Sequence, residues 1–251
     1  MSPPPRILAI AGSDSSGGAG IQADIKTITM LGGYAMTAVT AVTAQNTLGV
    51  QAVVSMTPQL VVEQFLACSR DIGIDAVKIG MVARPETTDI IGDLLRTLGR
   101  GTPVVLDPVM VASSGAVLNV RGTNGHLLAL AEHAALVTPN LPELEALGGL
   151  DAVLGHCRAV LVKGGHAPGE VIVDRLVTAD GEIARWEDTR IETSGTHGTG
   201  CTLSSAIATY LGHGLTLEDA IGKAREFVRA ALLAAPGFGA GRGPMGHHAV
   251  R

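Results

Sequence analysis

Short apolar runs rich in Val and Ile alternate along this chain with stretches in which apolar residues recur at helical spacing. Parallel strands that are buried on both faces and joined by crossover helices have this pattern. We therefore predict an α/β fold with a mostly parallel central sheet. The predicted strands are residues 7–11, 35–44, 51–56, 76–79, 104–106, 135–137 and 159–162.

The remaining segments complete this outline. Residues 171–178 and 182–187 flank an Ala-Asp-Gly turn and predict an antiparallel hairpin at the edge of the sheet. A helix is predicted over residues 21–31, a second from Gly198 to about residue 211, and a third over 217–234 with Thr216 as its N-cap. Because no repeat or linker interrupts the pattern, we expect one domain over residues 1–251.

Composition narrows the possible functions. A net charge of -5 with 16% charged residues provides no basic surface for nucleic acid, and one Trp, two Tyr and three Phe leave little for stacking on bases. Three widely spaced cysteines indicate neither a disulfide framework nor a zinc knuckle. The sequence shows no signal-peptide pattern and no apolar run of about 18 residues, so we expect a cytoplasmic protein without membrane contact.

Polar residues follow several of the predicted strands. In open α/β sheets, ligands bind outside the carboxyl ends of the strands, so these side chains are the first candidates for a site. They are Asp14, Gln45, Lys78, Asp107, Asn140 and Lys163.

Two glycine-rich segments link a strand or loop to a helix. Gly198-Thr-Gly-Cys201 opens a helix, where free backbone N–H groups and the helix dipole favour an anion such as a transferring phosphoryl group. The alternative is that its glycines only shape a tight turn. The segment from Gly12 to Gly20 lacks the ending of a Walker A loop, and by itself it predicts no more than a flexible turn.

Asn140 and Glu143 allow two interpretations. Asn at an N-cap with Glu three residues later is a variant of the capping box. The same side chains supply oxygen ligands at a strand end, as Mg²⁺ held largely through water requires. Both interpretations stay open.

Lys163 ends an apolar strand before two glycines, where its ammonium has no obvious partner unless an anion arrives. The alternative is a Lys that extends to solvent. Asp107, before Pro108, is a candidate helix cap. No zinc site is assigned, because the histidines lack metal-ligand spacing; those considered are His166, His197, His247 and His248.

Several motifs, taken together and in order from about residue 7 to residue 248, resemble one known family. The longest are Ala11-Gly-Ser-Asp-Ser-Ser-Gly-Gly-Ala-Gly-Ile-Gln-Ala-Asp24 and Thr196-His-Gly-Thr-Gly-Cys201. The others are Thr43-Ala-Gln-Asn46, Lys78-Ile-Gly-Met81, Asp107-Pro-Val-Met110, Thr138-Pro-Asn-Leu-Pro-Glu143 and Val162-Lys-Gly-Gly-His166. The sequence is similar to the hydroxymethylpyrimidine/phosphomethylpyrimidine kinases of thiamine biosynthesis, in the ribokinase-like superfamily.

The resemblance implies a three-layer α/β/α sandwich with a mostly parallel sheet, and phosphorylation of a hydroxymethylpyrimidine and of its monophosphate by ATP with Mg²⁺. We also expect a homodimer. The implied pyrimidine pocket consists of Gly12, Asp24, Gln45, Met81 and Val109. The implied nucleotide and Mg²⁺ site consists of Asp107, Asn140, Glu143 and Lys163. The implied anion hole consists of Gly198, Thr199, Gly200 and Cys201.

Cys201 stands where the sugar kinases of the superfamily place an aspartate base. A helix start tends to lower a thiol pKa, so three roles compete here: packing, a partial thiolate acting as base, and a thiol that hydrogen-bonds near the acceptor hydroxyl. We favour the third role, because a loose transition state for phosphoryl transfer depends more on positioning than on a strong base.

One segment departs from the family pattern. Residues 148–158 are shorter than usual there and leave room for two or three helical turns at most. Two alternative functions also remain. A pyridoxal or pyridoxine kinase acts on a ring that likewise carries a hydroxymethyl group. A catalytically silent pyrimidine-binding domain would have lost the anion hole or Lys163, and this chain retains both.

Overall fold

A computed structural model describes residues 3–99, 101–110 and 123–250. The strands in this part of the chain form one sheet with the order β3-β2-β1-β4-β5-β6-β7-β8-β9. They are β1 Arg6–Asp14, β2 Tyr34–Asn46, β3 Gly49–Ser55, β4 Ala76–Ile79, β5 Val104–Leu106, β6 Leu136–Val137, β7 Val160–Val162, β8 Val171–Thr178 and β9 Gly181–Thr189.

Helices cover both faces of this sheet. They are α1 Gly20–Met30, α2 Pro58–Asp71, α3 Pro85–Leu95, α4 Thr123–Ala131, α5 Leu141–Ala146, α6 Leu150–Leu154, α7 Thr199–Gly212 and α8 Leu217–Leu233. Alternate residues of one strand point to opposite faces. On β1, Leu8 and Ile10 pack with α2, α3, α4 and α6, whereas Ile7 and Ala9 pack with α1, α7 and α8. The result is the expected sandwich of three layers.

The sheet is parallel from β2 through β7 and antiparallel at both edges. The predicted hairpin is confirmed as β8 and β9. The strand predicted at residues 51–56 also lies at an edge, where β3 turns back antiparallel to β2 after Asn46. Gln45 therefore sits inside a hydrogen-bonded strand and not beyond its end.

Strand β1 extends further than the hydrophobic run predicts. It continues to Asp14, with a shift in its pairing to β2 between Ala11 and Ser13, so the start of the glycine-rich segment is part of the sheet. The chain then leaves β3 and returns on the other side of β1 as β4. Ligands of open α/β sheets bind at such a change of direction, outside the carboxyl ends of the strands.

The short segment after α5 contains only α6, a helix of five residues. This agrees with the limit of two or three turns that its length sets. Val153 on α6 is completely buried against the sheet, so the shortened segment still covers the face beneath it.

Candidate active site

A cleft of about 1240 Å³ runs across the carboxyl ends of the strands. All but two of the candidate site residues line it, the exceptions being Asp24 and Lys78. Those that line it are Gly12, Asp14, Gln45, Met81, Asp107, Val109, Asn140, Glu143, Lys163, Gly198, Thr199, Gly200 and Cys201. The parallel sheet explains this convergence, because neighbouring strands that end at the same edge deliver their following residues to one place.

Lys163 has partners in the protein, contrary to the expectation that only an anion would meet it. Its ammonium lies 2.8 Å from Asp107 Oδ1 and 3.8 Å from Glu143 Oε2. Asp107 follows β5 and Lys163 follows β7, and both strands end at the same edge on either side of β6. Burial acts to lower the pKa of Lys163, but Asp107 and Glu143 outweigh it and the pKa is raised. Lys163 is therefore a fully charged donor at the wall of the cleft.

The capping box at the start of α5 is confirmed. Asn140 Oδ1 accepts a hydrogen bond from the Glu143 amide at 2.9 Å, and Glu143 Oε2 accepts one from the Asn140 amide at 2.8 Å. Burial raises the pKa of Glu143, although Lys163 acts in the opposite direction. A carboxylate has four lone-pair positions, so the cap and the salt bridge leave Glu143 with capacity for a further partner in the cleft.

The start of α7 faces the same end of the cleft. Gly198, its N-cap, has φ 84°, and a Cβ there would lie 1.9 Å from the carbonyl oxygen of Gly18. A Cβ on Gly200 would lie 3.2 Å from Asp107 Oδ2 and 3.4 Å from Lys163 Nζ. The glycines therefore let the glycine-rich loop and the charged pair approach the helix terminus closely. The amides of Gly200 and Cys201 donate to no other described residue, so these two N–H groups are available to an anion in the cleft.

Cys201 differs from expectation in its acidity. Burial is the largest influence on this half-buried thiol and, with Asp24 and Asp107 nearby, it raises the pKa to about 11 despite Lys78 and the Gly20 amide. The helix-terminus argument predicted a lowered value and was wrong in direction, because it left out the cost of desolvating a thiolate. With this pKa Cys201 is mainly a thiol at neutral pH, which argues against the base role.

Asp24 is one of the two candidate site residues that the structure places outside the wall of the cleft. Its carboxylate is completely buried, receives both hydrogen bonds of Lys78 Nζ at 2.8 and 2.9 Å, and accepts a third from Ser205. Lys78, also completely buried, is likewise absent from the wall. The pair therefore lies behind the site, where Asp24 binds Lys78 and Ser205 and does not line the cleft.

The opposite end of the cleft is built from β1, β2 and the turn after β4. Gly12 and Met81 meet here, since a Cβ on Gly12 would lie 3.1 Å from Met81 Sδ. Thr40 Oγ1 donates to the Met81 carbonyl at 2.6 Å and fixes that turn. Met81 and Gln45 both line the cleft, one with an apolar side chain and the other with a polar amide, a combination that suits a flat heteroaromatic ring.

Two more residues complete this end: Asp14, a strand-end candidate to which the sequence assigned no specific role, and His197, which the sequence did not single out as functional. Asp14 accepts hydrogen bonds from the amides of Ser16, Gly18 and Ala19 and from His197 Nε2, the last at 2.8 Å. Burial acts to raise the pKa of Asp14, but His197 and these donors outweigh it and the pKa is lowered. His197 Nε2 is also 3.1 Å from the Gln45 amide. The His-Gly-Thr-Gly spacing was a usable signal that was considered only for metal binding.

The donor set near Lys163 fits Mg²⁺ better than a transition metal, because its free groups are carboxylate and amide oxygens. Among the residues that the structure describes, no group of three or more His, Cys, Asp or Glu could hold a metal by itself. The protein thus offers a few oxygens and not a closed cage. In the same described ranges, no helix has the length and apolar character needed to span a membrane.

Comparison with known proteins identifies the family. The model of the phosphomethylpyrimidine kinase family matches residues 14–246. This chain belongs to that family. The kinase family includes the hydroxymethylpyrimidine/phosphomethylpyrimidine kinase of Rhizobium meliloti, which is 44% identical over 257 residues that cover 96% of each chain.

Two further relatives are similar to this chain but differ from it in length or carry a different name. The thiamine biosynthesis multifunctional protein of Corynebacterium efficiens is 40% identical, and the match covers 98% of this chain but 35% of that protein. The chain therefore spans about a third of that relative. The pyridoxal kinase of Staphylococcus aureus, solved with AMP-PCP and pyridoxal, superposes with a TM-score of 0.89 at 28% identity, covering 99% of this chain and 95% of that one. The chain has the ribokinase-like α/β fold.

Proposed function

We propose that this chain transfers the γ-phosphoryl group of ATP to the hydroxymethyl oxygen of an aminopyrimidine, and then a second one to the resulting monophosphate. The observation that carries this proposal is that one cleft joins a ring-binding end to an anion-binding end. Gln45 and Met81 form the first, and Lys163 with the start of α7 forms the second. The named activity of the Rhizobium meliloti relative supports the same reaction.

In this reaction the hydroxymethyl oxygen forms a bond to the γ-phosphorus while the bond to the β,γ-bridging oxygen breaks. ADP leaves with that electron pair. The hydroxyl proton passes to a phosphoryl oxygen or to solvent. With a loose transition state, catalysis depends on positioning and on stabilising charge, which Lys163 and the amides of Gly200 and Cys201 supply.

Mg²⁺ belongs to the proposal through Asn140 and Glu143, with Asp107 beside them. When bound with ATP, the ion neutralises charge on the phosphates. Glu143 keeps hydrogen-bonding capacity after capping α5, and Lys163 holds it near Asp107. We expect Glu143→Gln to raise the Mg²⁺ concentration that gives half the maximal rate, while the cap geometry survives.

The two candidate kinase functions, on an aminopyrimidine and on pyridoxal, differ in the ring of the phosphoryl acceptor. An aminopyrimidine presents a ring nitrogen beside an amino group, which an amide such as Gln45 can match with one donor and one acceptor. The close superposition on a pyridoxal kinase is the specific reason to keep pyridoxal as second candidate acceptor. Homodimerisation also remains a prediction, for which exposed apolar residues on the β2–β3 edge are a candidate surface; they are Val42, Leu48, Val53 and Val54.

An acceptor panel tests the proposed function. The protein is incubated with ATP, Mg²⁺ and one of four acceptors: the aminopyrimidine alcohol, its monophosphate, pyridoxal or pyridoxine. ³¹P NMR and ADP release are recorded together. We expect both pyrimidines to gain phosphate, and kcat/KM for the alcohol to fall roughly ten- to a hundredfold in Gln45→Leu, since a buried ligand group loses its partner. Efficient phosphorylation of pyridoxal alone would replace this function with the second candidate.

A further inference from the structure

The amide of Gln45 lies between two polar groups. Together they determine which of them the amide oxygen faces and which the amide nitrogen faces. On one side is His197 Nε2, 3.1 Å from the amide nitrogen, and on the other is Thr43 Oγ1, 3.3 Å from the amide oxygen. Each of these two neighbours has a further, shorter hydrogen bond that limits what it can offer to the amide.

His197 Nε2 is committed as a donor. It lies 2.8 Å from Asp14 Oδ2, and that carboxylate already accepts hydrogen bonds from backbone amides, as an ionised group does. An ionised carboxylate only accepts, so Nε2 must carry a hydrogen. The –NH₂ of Gln45 can only donate, so two donors would face each other and no hydrogen bond would form between Gln45 and His197. The amide oxygen, in contrast, can share the hydrogen with Asp14.

Thr43 leads to the same arrangement from the other side. Its hydroxyl donates its one hydrogen to the carbonyl of Ser13 at 3.0 Å, so toward Gln45 it can offer a lone pair. A lone pair suits the amide –NH₂ and not the amide oxygen. A half-turn of the amide about its last bond exchanges its oxygen and nitrogen and satisfies both neighbours at once, with no other atom moved.

We propose that His197 is a specificity-determining positioning residue, which together with Thr43 holds the Gln45 amide with Oε1 toward His197 and Nε2 toward Thr43. Buried polar groups strongly favour the arrangement in which every donor meets an acceptor. The inference rests on the proposed function, since it assumes that Gln45 meets the ring of the acceptor.

The consequence is a fixed order of donor and acceptor on the edge that Gln45 keeps for its ligand. After both neighbours are satisfied, one N–H remains on the Thr43 side and one lone pair on the His197 side. A ring that carries an acceptor nitrogen next to an amino group fits this edge in one orientation only. A ring without such a neighbouring pair, such as that of pyridoxal, leaves at least one end of the amide unmatched. His197 therefore acts on the choice between these acceptors and not on ATP.

The packing of His197 allows its hydrogen bond to be removed with little change in shape. The imidazole is 3% exposed, and its Cδ2 lies only 2.4 Å from where a Cβ on Gly18 would stand. His197→Phe keeps a flat ring in this space and removes the donor. Thr43→Val removes the hydroxyl at nearly constant volume and leaves the pair of Asp14 and His197 intact.

The test is the ratio of kcat/KM for the aminopyrimidine alcohol to kcat/KM for pyridoxal, measured in the full-length protein. We expect the ratio to fall about tenfold in His197→Phe and in the same direction in Thr43→Val, mainly through KM for the pyrimidine, while KM for ATP stays constant. His247→Phe is the matched control. His247 is equally buried and bonds Thr202 at 2.8 Å, but it does not line the cleft, so its variant should keep the wild-type ratio.

Each outcome bears on one claim. A folded His197→Phe with the wild-type ratio overturns the role of His197. If that variant does not fold because Asp14 has lost its partner, Thr43→Val decides, and an unchanged ratio there overturns the arrangement of the amide. A wild-type protein that does not phosphorylate the aminopyrimidine contradicts the proposed function instead.

Discussion

Two Lys-Asp pairs of this chain have the same chemistry and nearly opposite settings. Lys78 and Asp24 lie 2.8 Å apart with both side chains 0% exposed, behind the site. Lys163 and Asp107 are also 2.8 Å apart, but Lys163 is 14% exposed and lines the cleft. The comparison separates what an ion pair does for folding from what it does for ligand binding.

The two lysines differ in whether water or a ligand can take the place of the aspartate partner. No solvent reaches Lys78, so its charge is stabilised only by Asp24 and by more distant groups, and it cannot exchange one anion for another. At Lys163, the cleft lets water or a phosphate share the ammonium with Asp107 and Glu143. A buried pair whose partner is removed leaves an uncompensated charge, whereas a pair at a cleft can be resolvated.

The largest effect on stability is expected from breaking the fully buried pair of Lys78 and Asp24. Lys78→Met should lower the free energy of unfolding by about 3 to 5 kcal/mol, because Asp24 is left buried without its counter-charge. Urea denaturation measures this loss. The double variant Lys78→Met with Asp24→Leu should recover most of it, since an apolar pair of similar volume removes the stranded charge. If Lys78→Met were as stable as the wild type, water would have to reach the remaining Asp24, and the pair would not be fully buried.

Breaking the pair at the cleft should affect catalysis and not folding. Lys163→Met is expected to lower kcat/KM for ATP by about two to three orders of magnitude, because a positioned cation no longer stabilises the transferring phosphoryl group. The free energy of unfolding should fall by at most about 2 kcal/mol, because Asp107 keeps the hydrogen bond from Thr138 Oγ1 and lines the cleft. A variant as unstable as Lys78→Met, or one that retains full activity, would remove the distinction between the two pairs.

Cys201 is influenced by both pairs and gives the smallest of the three effects. Its pKa of about 11 makes the thiolate scarce at neutral pH. Iodoacetamide should therefore modify Cys201 roughly ten- to thirtyfold more slowly at pH 7 than a free cysteine with a pKa of about 8.5, after allowing for the greater nucleophilicity of a more basic thiolate.

The pH dependence of the alkylation rate shows whether the pKa of Cys201 is raised or lowered. The rate of alkylation should rise about tenfold for each pH unit, without a plateau below about pH 10, because the thiolate fraction grows until the pH reaches the pKa. Mass spectrometry of the modified peptide locates the reaction, and Cys201→Ala serves as the control. Rapid labelling with a plateau near neutral pH would restore the thiolate role.

The same comparison shows what the sequence could predict. Lys163, Asn140 and Glu143 were found because parallel strands bring their ends to one edge, a rule that needs only local patterns. The partners Lys78 and Asp24 are 54 residues apart, and His197 and Asp14 are 183 apart. Their pairing depends on how helices α1 and α7 seat on the sheet, which no local pattern specifies. The pKa of Cys201 was missed for the same reason, since burial is a property of the whole fold.

The most direct test of the proposed phosphoryl transfer uses ATP labelled with ¹⁸O on the non-bridging oxygens of its γ-phosphate. The protein is incubated with this ATP, Mg²⁺ and the aminopyrimidine alcohol, and the products are analysed by mass spectrometry. The account predicts a pyrimidine phosphate that carries the labelled oxygens and keeps the substrate's own oxygen as the bridge. The phosphoryl groups transferred, counted over monophosphate and diphosphate, should equal the ADP formed. Labelled inorganic phosphate in place of labelled pyrimidine ester would contradict it.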